Sequence, residues 1–399
     1  MQRRLNDPKV INAWALFDWA NSAFALVITV AIFPAYFAAV TDDTIHMLGM
    51  DISNSSLYAF AISASYLTIA AFSPLLSGIA DYGGRKKFFL QFFTVLGSLS
   101  CLSLFFFKSM DQLAIGTLGF ILAMIGFAGG LVFYNSYLPE ITTEDRYDRV
   151  SARGFSFGYI GSVLLLISNL IIISNYEWLG LPSEGFATRL AFVMVGLWWI
   201  GFALIPFYYL PPDPDGKPTT RLLSKGMEEL KKVWRAAQYQ PNVKRFLIAF
   251  FCYSAGVQTV LFLAATFAEK ELQFDTSQLI IVILILQIIA IGGAYLFARI
   301  SDWRGNKFSL ISMLLIWTAI CLFAYFVQTS LQFYFVAGFV GLVMGGIQSL
   351  SRSTYSKLIP PKTKDTTSYF SFYDVLEKVA IVVGTFGFGF IDQLTGSMR

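Results

Sequence analysis

Long apolar runs separated by short polar links occupy almost the whole chain. Runs of about 20 residues or more, enough to cross roughly 30 Å of hydrocarbon, lie at 12–40, 56–80, 88–107, 113–137, 151–174, 189–210, 244–268, 277–298, 307–327, 331–356 and 368–391. The pattern predicts eleven membrane-crossing helices and an all-α integral membrane protein.

The links between runs repeat. Ser77-Gly-Ile-Ala-Asp81-Tyr-Gly-Gly84-Arg-Lys86-Lys87 and Arg299-Ile-Ser-Asp302-Trp-Arg-Gly305-Asn-Lys307 align at one offset, Asp81 on Asp302, Gly84 on Gly305 and Lys86 on Lys307. The same offset lays Tyr134-Asn-Ser-Tyr-Leu-Pro139 over Tyr355-Ser-Lys-Leu-Ile-Pro360. The first run falls on the seventh, Ala15 to Asn21 over Ala249 to Ala255, once a longer first exterior loop is allowed for. The chain therefore reads as two parallel repeats: a six-helix half at 1–210, a linker at 211–243, and a second half at 244–399 with five spans. The linker opens on Pro211-Pro-Asp-Pro-Asp-Gly-Lys-Pro218, which breaks helices. Leu223, Met227, Leu230 and Trp234 then recur at helical spacing among Arg221, Lys225, Lys231, Lys232 and Arg235. That is either an amphipathic helix on the inner membrane surface or a solvated linker helix.

Composition agrees with the spans. Of 399 residues 56% are hydrophobic and 14% charged, with a mean hydropathy of +0.62. Most of the 29 Lys and Arg fall in the N-terminus, the linker and the links on that same side. Only Lys108, Arg189, Lys270 and Arg399 fall on the other side, which places the N-terminus in the cytoplasm and suits a cell (inner) membrane. The net charge of +4 reflects this topology and not nucleic-acid binding. The first run has no convincing cleavage site and is expected to stay in the membrane. Cys101, Cys252 and Cys321 all fall in spans and read as packing residues, with neither disulfide nor metal spacing. His46, in the first exterior loop, reads as simply solvated.

Charge inside the spans is the sharper signal, because an ionised side chain at mid-helix costs roughly 2.5–3.5 kcal/mol on insertion scales. Asp18 lies roughly 7 Å into the first span, with Asn21 and Ser22 one turn on; it is a proton-coupling candidate or a structural acid bonded to backbone or water. Asp374, Glu377 and Lys378 share one turn of the eleventh span. Asp374 and Lys378 are spaced to pair, leaving Glu377 uncompensated. Either they form a structural ion pair between halves, or Lys378 binds a substrate carboxylate while Asp374 and Glu377 couple protons. Tyr134, Asn135, Gln258, Gln287 and Gln348 are, with Asn21, the polar candidates for a substrate cavity. Gly154, Gly158, Gly161, Gly384 and Gly387 read as close-packing positions. Arg352, among Ser349, Ser351 and Ser353, is an inner-gate partner for Asp18, an anchor or a substrate ligand.

The link after the second run resembles the Gly-x-Leu-Ala-Asp-basic-x-Gly-Arg-Lys loop of the major facilitator superfamily, and the duplicated plan extends the resemblance over the whole chain. Trp14-Ala-Leu-Phe-Asp-Trp-Ala-Asn-Ser22, Tyr134-Asn-Ser-Tyr-Leu-Pro-Glu140 and Gln348-Ser-Leu-Ser-Arg-Ser353 are similar to its vacuolar amino-acid effluxer branch, including that branch's bacterial members. The resemblance implies alternating access and a cytoplasmic gate at Asp81, Gly84, Arg85, Lys86, Asp302, Gly305, Lys307 and Arg352, against a plain topology anchor. Asp81 at the inner end of its span can face the positive end of a neighbouring helix or an Arg of the opposite half, with Arg85 to Lys87 at the headgroups. Three departures stand out: Ser77, Tyr82 and Asn306 in the loop motifs imply looser helix contact; Ser254-Ala255 replaces an Asn-Asp common in the branch; and the sequence stops at Gly396-Ser-Met-Arg399, where the family carries a twelfth span, so that span is expected to have been removed or left out of the sequence.

No ATP loop, zinc-protease signature, cysteine cluster or Ser-His pairing is present, so the chain reads as no enzyme, with neither cofactor nor metal. The expected function is secondary active transport of a small organic solute, amino acids or related metabolites, coupled to protons, by a monomer in the lipid bilayer. The alternatives are a transport-fold receptor or assembly partner without flux, and a membrane-embedded transferase.

Overall fold

The computed structural model describes residues 5–47, 49–214, 222–361 and 363–395. Among them, long helices run up and down in sequence: α1 Pro8–Val40, α2 Asn54–Gly83, α3 Lys86–Phe106, α4 Met110–Ile141, α5 Glu144–Ser174, α6 Glu184–Tyr209, α7 Pro241–Leu272, α8 Thr276–Arg304, α9 Asn306–Ala324, α10 Ser330–Leu358 and α11 Thr366–Thr395. A separate linker helix covers Leu222–Gln238. Nine helices among the described residues meet the length and hydropathy that a bilayer asks for. α7 and α11, at 32 and 30 residues, are also long enough. Each apolar run of the sequence falls on one of these helices. Several helices continue past their runs at the end carrying Arg85 and Arg304, here termed the basic end, because a helix does not stop where hydrocarbon gives way to headgroups. α2 stops where Gly84 turns left-handed, at φ 62°.

Packing gathers into two main clusters. α1 to α6 build the larger core around Trp14, Phe24, Phe120, Phe133 and Trp199, and α7 to α10 build a second around Met313, Val343 and Leu350. α8 and α10 cross backbone to backbone, since a Cβ on Gly345 would lie 2.2 Å from the Ala290 carbonyl oxygen. The two helix sets meet where α2 packs on α11 and α5 packs on α8 and α10. Between α5 and α8 the seam is Ala152 against Ala294 and Ala298. Phe88, Leu99, Leu118, Leu204, Leu315 and Phe335 point outward and exposed, the apolar belt that hydrocarbon requires.

Two local features were not visible in the sequence pattern. Phe24–Ile32 of α1 is a π-helical stretch, followed by Pro34, whose ring crowds the preceding turn and whose missing N–H leaves a carbonyl without its donor. The Tyr58 hydroxyl donates to the Thr29 carbonyl at 2.6 Å and satisfies it. The first exterior loop folds into a hairpin, Thr44–Met47 antiparallel to Met50–Ser53. His46 in it is not merely solvated, because its Nδ1 lies 2.9 Å from Asp51 across the hairpin. Of the cysteines only Cys101 packs inside; Cys252 and Cys321 are exposed on helix surfaces, correcting the expectation for those two.

Candidate functional site: a closed basic end below a polar cluster

Arg352 leaves α10 and inserts its guanidinium among helices of the other half. Nη1 donates to Asp18 Oδ2 of α1 at 3.2 Å and to Asn135 Oδ1 at 3.1 Å. Nε donates to Ser151 Oγ and Nη2 to the Ser151 carbonyl, each at 2.9 Å. The Tyr134 hydroxyl donates to the same Asp18 oxygen at 2.7 Å. Phe155, Trp14 and Tyr134 face the guanidinium at 4.2, 4.7 and 5.4 Å from their ring centroids. Asp18 and Arg352 are 3% and 1% exposed, so the charges answer each other and not water. Gly154 makes room for them: a Cβ there would meet Asp18 Oδ2 at 2.7 Å and Arg352 Nη2 at 2.8 Å. Deeper in, Tyr159 of α5 donates to Gln348 Oε1 of α10 at 2.6 Å.

Nearer the basic end, Asp81 of α2 sits at the N-terminus of α11, accepting from Ser368 N at 2.7 Å and Thr367 N at 3.3 Å, as a carboxylate at the positive end of a helix dipole should. Lys86, the middle residue of its basic run, points inward and donates to Thr366 Oγ1 at 2.7 Å and to Glu140. The expectation that Arg85 to Lys87 all lie at headgroups is corrected for Lys86, which is buried, and for Lys87, whose Nζ donates to the Leu210 carbonyl at 3.0 Å. Arg85 alone stays exposed. At Gly84 a Cβ would stand 2.6 Å from the Pro214 oxygen, so a side chain fits neither the turn nor the space.

The second repeat closes differently. Asp302 pairs with Arg149 of α5 at 2.8 Å, but Lys307, the counterpart of Lys86, is exposed and stays outside the cluster. Lys357 supplies the ammonium instead, donating to Asp148 at 2.7 Å. Asp148 also accepts from Ser301 Oγ at 2.6 Å and Asn306 Nδ2 at 2.8 Å. Asn306 therefore does not loosen the contact, as its replacement of an arginine had suggested; it bridges Asp148, Thr354 at 2.9 Å and Lys357 at 2.8 Å. Gly305, at φ 85°, turns α8 into α9.

On α11, Lys378 donates to Asp374 Oδ1 at 2.5 Å and to Glu377 Oε2 at 3.3 Å. Asp374 and Lys378 are buried, 2% and 3% exposed, and the ammonium lies 6.0 Å from the Tyr66 ring centroid of α2. The pairing is the expected one, but Glu377 is not left uncompensated, since it shares the same ammonium. Asn21 is fully buried with neither amide atom bonded to protein, and Gln287 Oε1 is likewise unpaired. Gln258 lies half-buried on α7, outside the contacts just described.

The linker helix ties onto both halves. Its Gly226 packs so closely on Gly78 of α2 that a Cβ on Gly78 would meet the Gly226 oxygen at 2.2 Å. Lys232 pairs with Asp365 just before α11 at 3.0 Å, and its pKa is raised, first by its hydrogen bond to Glu229, against desolvation, and then by Asp365. Ser151, Phe155, Asp148, Lys357 and Tyr66 escaped the sequence reading. The first two carry no charge, Tyr66 is one of 19 tyrosines, and the others sit at helix ends, where charge is ordinary.

Solved structures of similar shape include a proton:xylose symporter, XylE, at TM-score 0.71 and 15% identity over 97% of this chain and 89% of that one. The transporter FucP in its outward conformation gives 0.68 and 16% over 98% and 94%, and the human organic anion transporter MFSD10 gives 0.73 and 14% over 98% and 95%. The fold is that of the major facilitator superfamily. In sequence, the uncharacterized MFS-type transporter YxiO of Bacillus subtilis (strain 168) is 32% identical over 394 residues, 96% of this chain and 89% of that protein. Autophagy-related protein 22 of Saccharomyces cerevisiae (strain ATCC 204508 / S288c) is 24% identical over 406 residues, 88% of this chain and 75% of that one. These relatives are transporters or autophagy proteins by name, not enzymes. The family model described as vacuole effluxer Atg22 like matches residues 6–399, and the chain belongs to that family.

Proposed function

We propose that this protein is a secondary active transporter that moves a small organic solute, amino acids or related metabolites, by alternating access and coupled to protons. The N-terminus and the basic end face the cytoplasm of a cell whose inner membrane holds the protein as a monomer. Residues 1–210 and 244–399 are the two rocking halves, with 211–243 between them. One observation carries this reading: among the described residues the hydrogen bonds between halves gather at the basic end and reach as deep as Tyr159 and Gln348, about 18 Å by helical rise from Tyr147 of α5. Charged contacts of this kind break and re-form as units, and the small-residue seam of α5 and α8 lets the halves turn about each other.

Asp18 and Arg352 are the latch. A proton on Asp18 removes the charge that holds Arg352 among α1, α4 and α5, and the basic end is then free to open. On α11 a solute carboxylate can reach Lys378 by replacing Glu377, whose carboxylate is then released to take a proton. Solute and proton binding thus favour each other through one set of charges. Reconstituted protein, screened with metabolites with and without an imposed pH gradient, tests the reading. Wild-type protein accumulates its solute under the gradient; Asp18→Asn and Glu377→Gln keep solute exchange and lose accumulation. Normal accumulation by both variants overturns the coupling assignment.

A further inference from the structure

The linker helix has three faces. Gly226, Val233 and Ala237 turn inward and are buried, against α2 at Gly78 and among the α7, α10 and α11 side chains. Beside them runs an apolar stripe that the described residues leave largely open: Leu223 is 66% exposed and Trp234, one face of which meets Phe372, 50%. On the far edge of that stripe Lys231 and Arg235 are exposed, one turn apart. The other lysines of the helix have acidic partners, Lys225 with Glu228 and Lys232 with Glu229 and Asp365. Lys231 and Arg235 have no acidic group within 4.0 Å among the described residues.

The position decides what covers the stripe. The linker helix packs at the last turns of α2, level with the end of a helix whose earlier turns show Phe72 to lipid. On α7, which the linker helix also touches, Ile248 is exposed in the same way. A stripe at headgroup depth, bordered by two unpaired cations, matches a bilayer surface carrying anionic lipid: acyl chains take Leu223 and Trp234, and a phosphate takes Lys231 and Arg235. We propose that the linker helix is a docking site for anionic phospholipid, and that occupancy steadies the closed basic end. The second half of the proposal follows from the strap geometry. The same helix is seated on α2 through Gly78 and held to α11 by the Lys232–Asp365 pair and by Trp234 against Phe372, ring centroids 5.2 Å apart. Pinning it to the membrane holds α2 and α11 together. This half rests on the alternating-access reading; lipid docking does not.

Hydrogen exchange separates the two. The full-length protein is placed in nanodiscs of phosphatidylcholine alone or with one third phosphatidylglycerol, at low salt, and amide exchange is followed over 222–240 and 366–371. The expected result is exchange slowed at least threefold in both segments by the anionic lipid, with the difference lost in Lys231→Gln/Arg235→Gln and at high salt. Equal exchange of 222–240 in the two lipids, or a lipid effect that survives in the double variant, overturns the docking site. Slowed exchange in 222–240 with none in 366–371 overturns the steadying of the closed end and leaves the transport reading untouched.

Discussion

Lys357 of α10 donates to Asp148 of α5 at 2.7 Å, and neither residue belongs to the repeated loop motif. In the first repeat the motif's own lysine, Lys86, crosses between the halves. In the second, Lys307 turns outward and a lysine two turns beyond Ser349 takes its place. A lysine thus bridges the two helix sets at each link, but from a different position in the chain.

The first prediction follows. Asp148 accepts from Ser301, Asn306 and Lys357 at once, so Asp148→Asn removes the charge that organises all three. Hydrogen bonds to a charged group contribute about 1.5–3 kcal/mol each, and even part of that shifts a balanced two-state equilibrium tenfold or more. Spin labels at Arg85 and Arg304, both exposed at the basic end and on opposite halves, report the outcome in a background lacking the native cysteines. The distance distribution should move to longer separations in Asp148→Asn. An unchanged distribution refutes the clamp.

A second prediction concerns the buried pair. Removing one partner strands the other charge, at a cost of about 3–5 kcal/mol; removing both leaves neutral groups that can still hydrogen-bond. Asp18→Asn and Arg352→Gln alone should each lower the thermal unfolding midpoint of the purified protein, and the double variant should recover a large part of the loss. Additive losses would show that the two side chains act independently. Arg352→Lys should rescue little, because an ammonium cannot reproduce the fork that engages Asp18, Asn135 and both Ser151 oxygens.

How much of this was legible is clearest in these same residues. Asp18 stood out because a carboxylate inside an apolar run is costly, and the Asp374–Lys378 pair followed from helical spacing alone. The eleven runs fell on eleven helices because hydrocarbon thickness leaves little freedom in span length. Helix ends were harder. Arg85, Lys86 and Lys87 are equivalent as charges, yet successive residues are about 100° apart around a helix, and that rotation carries Lys86 into the interface. Asp148 and Lys357 were invisible for the same reason: at a headgroup-level helix end a charge needs no explanation. The π stretch before Pro34 left only a proline as its trace, and prolines in membrane helices serve several ends.

Gly154→Ala offers a steric test of the pair. The new methyl would fall 2.7 Å from Asp18 Oδ2 and 2.8 Å from Arg352 Nη2, with the Trp14 ring at 3.0 Å, and all three side chains are buried. Overpacking of this kind costs about 1–3 kcal/mol. Gly201→Ala, on α6, places its methyl where nothing lies within 4 Å, and it should be neutral or slightly stabilising, because alanine favours helix over glycine by about 1 kcal/mol. A lower unfolding midpoint for Gly154→Ala than for Gly201→Ala is expected, together with loss of solute transport. Equal midpoints and transport would mean that the α1–α5 crossing is looser than the geometry states.

The repeat itself makes the last prediction. α3 to α8 lie between Arg85 and Arg304 in the chain, an even number of crossings, so both residues must emerge on one side of the membrane, and both are exposed there. In the orientation proposed from the lysine and arginine distribution, that side is cytoplasmic. Single cysteines at the two positions, in a background lacking the native three, should react with a membrane-impermeant maleimide in inside-out vesicles and be protected in right-side-out ones. A cysteine at Trp178, 86% exposed in the turn between α5 and α6, should show the reverse pattern. Labelling of Arg85→Cys and Arg304→Cys from opposite faces would break the parallel duplication and with it the shared gate, since Asp148 of the first half and Asn306 of the second could not then meet at 2.8 Å.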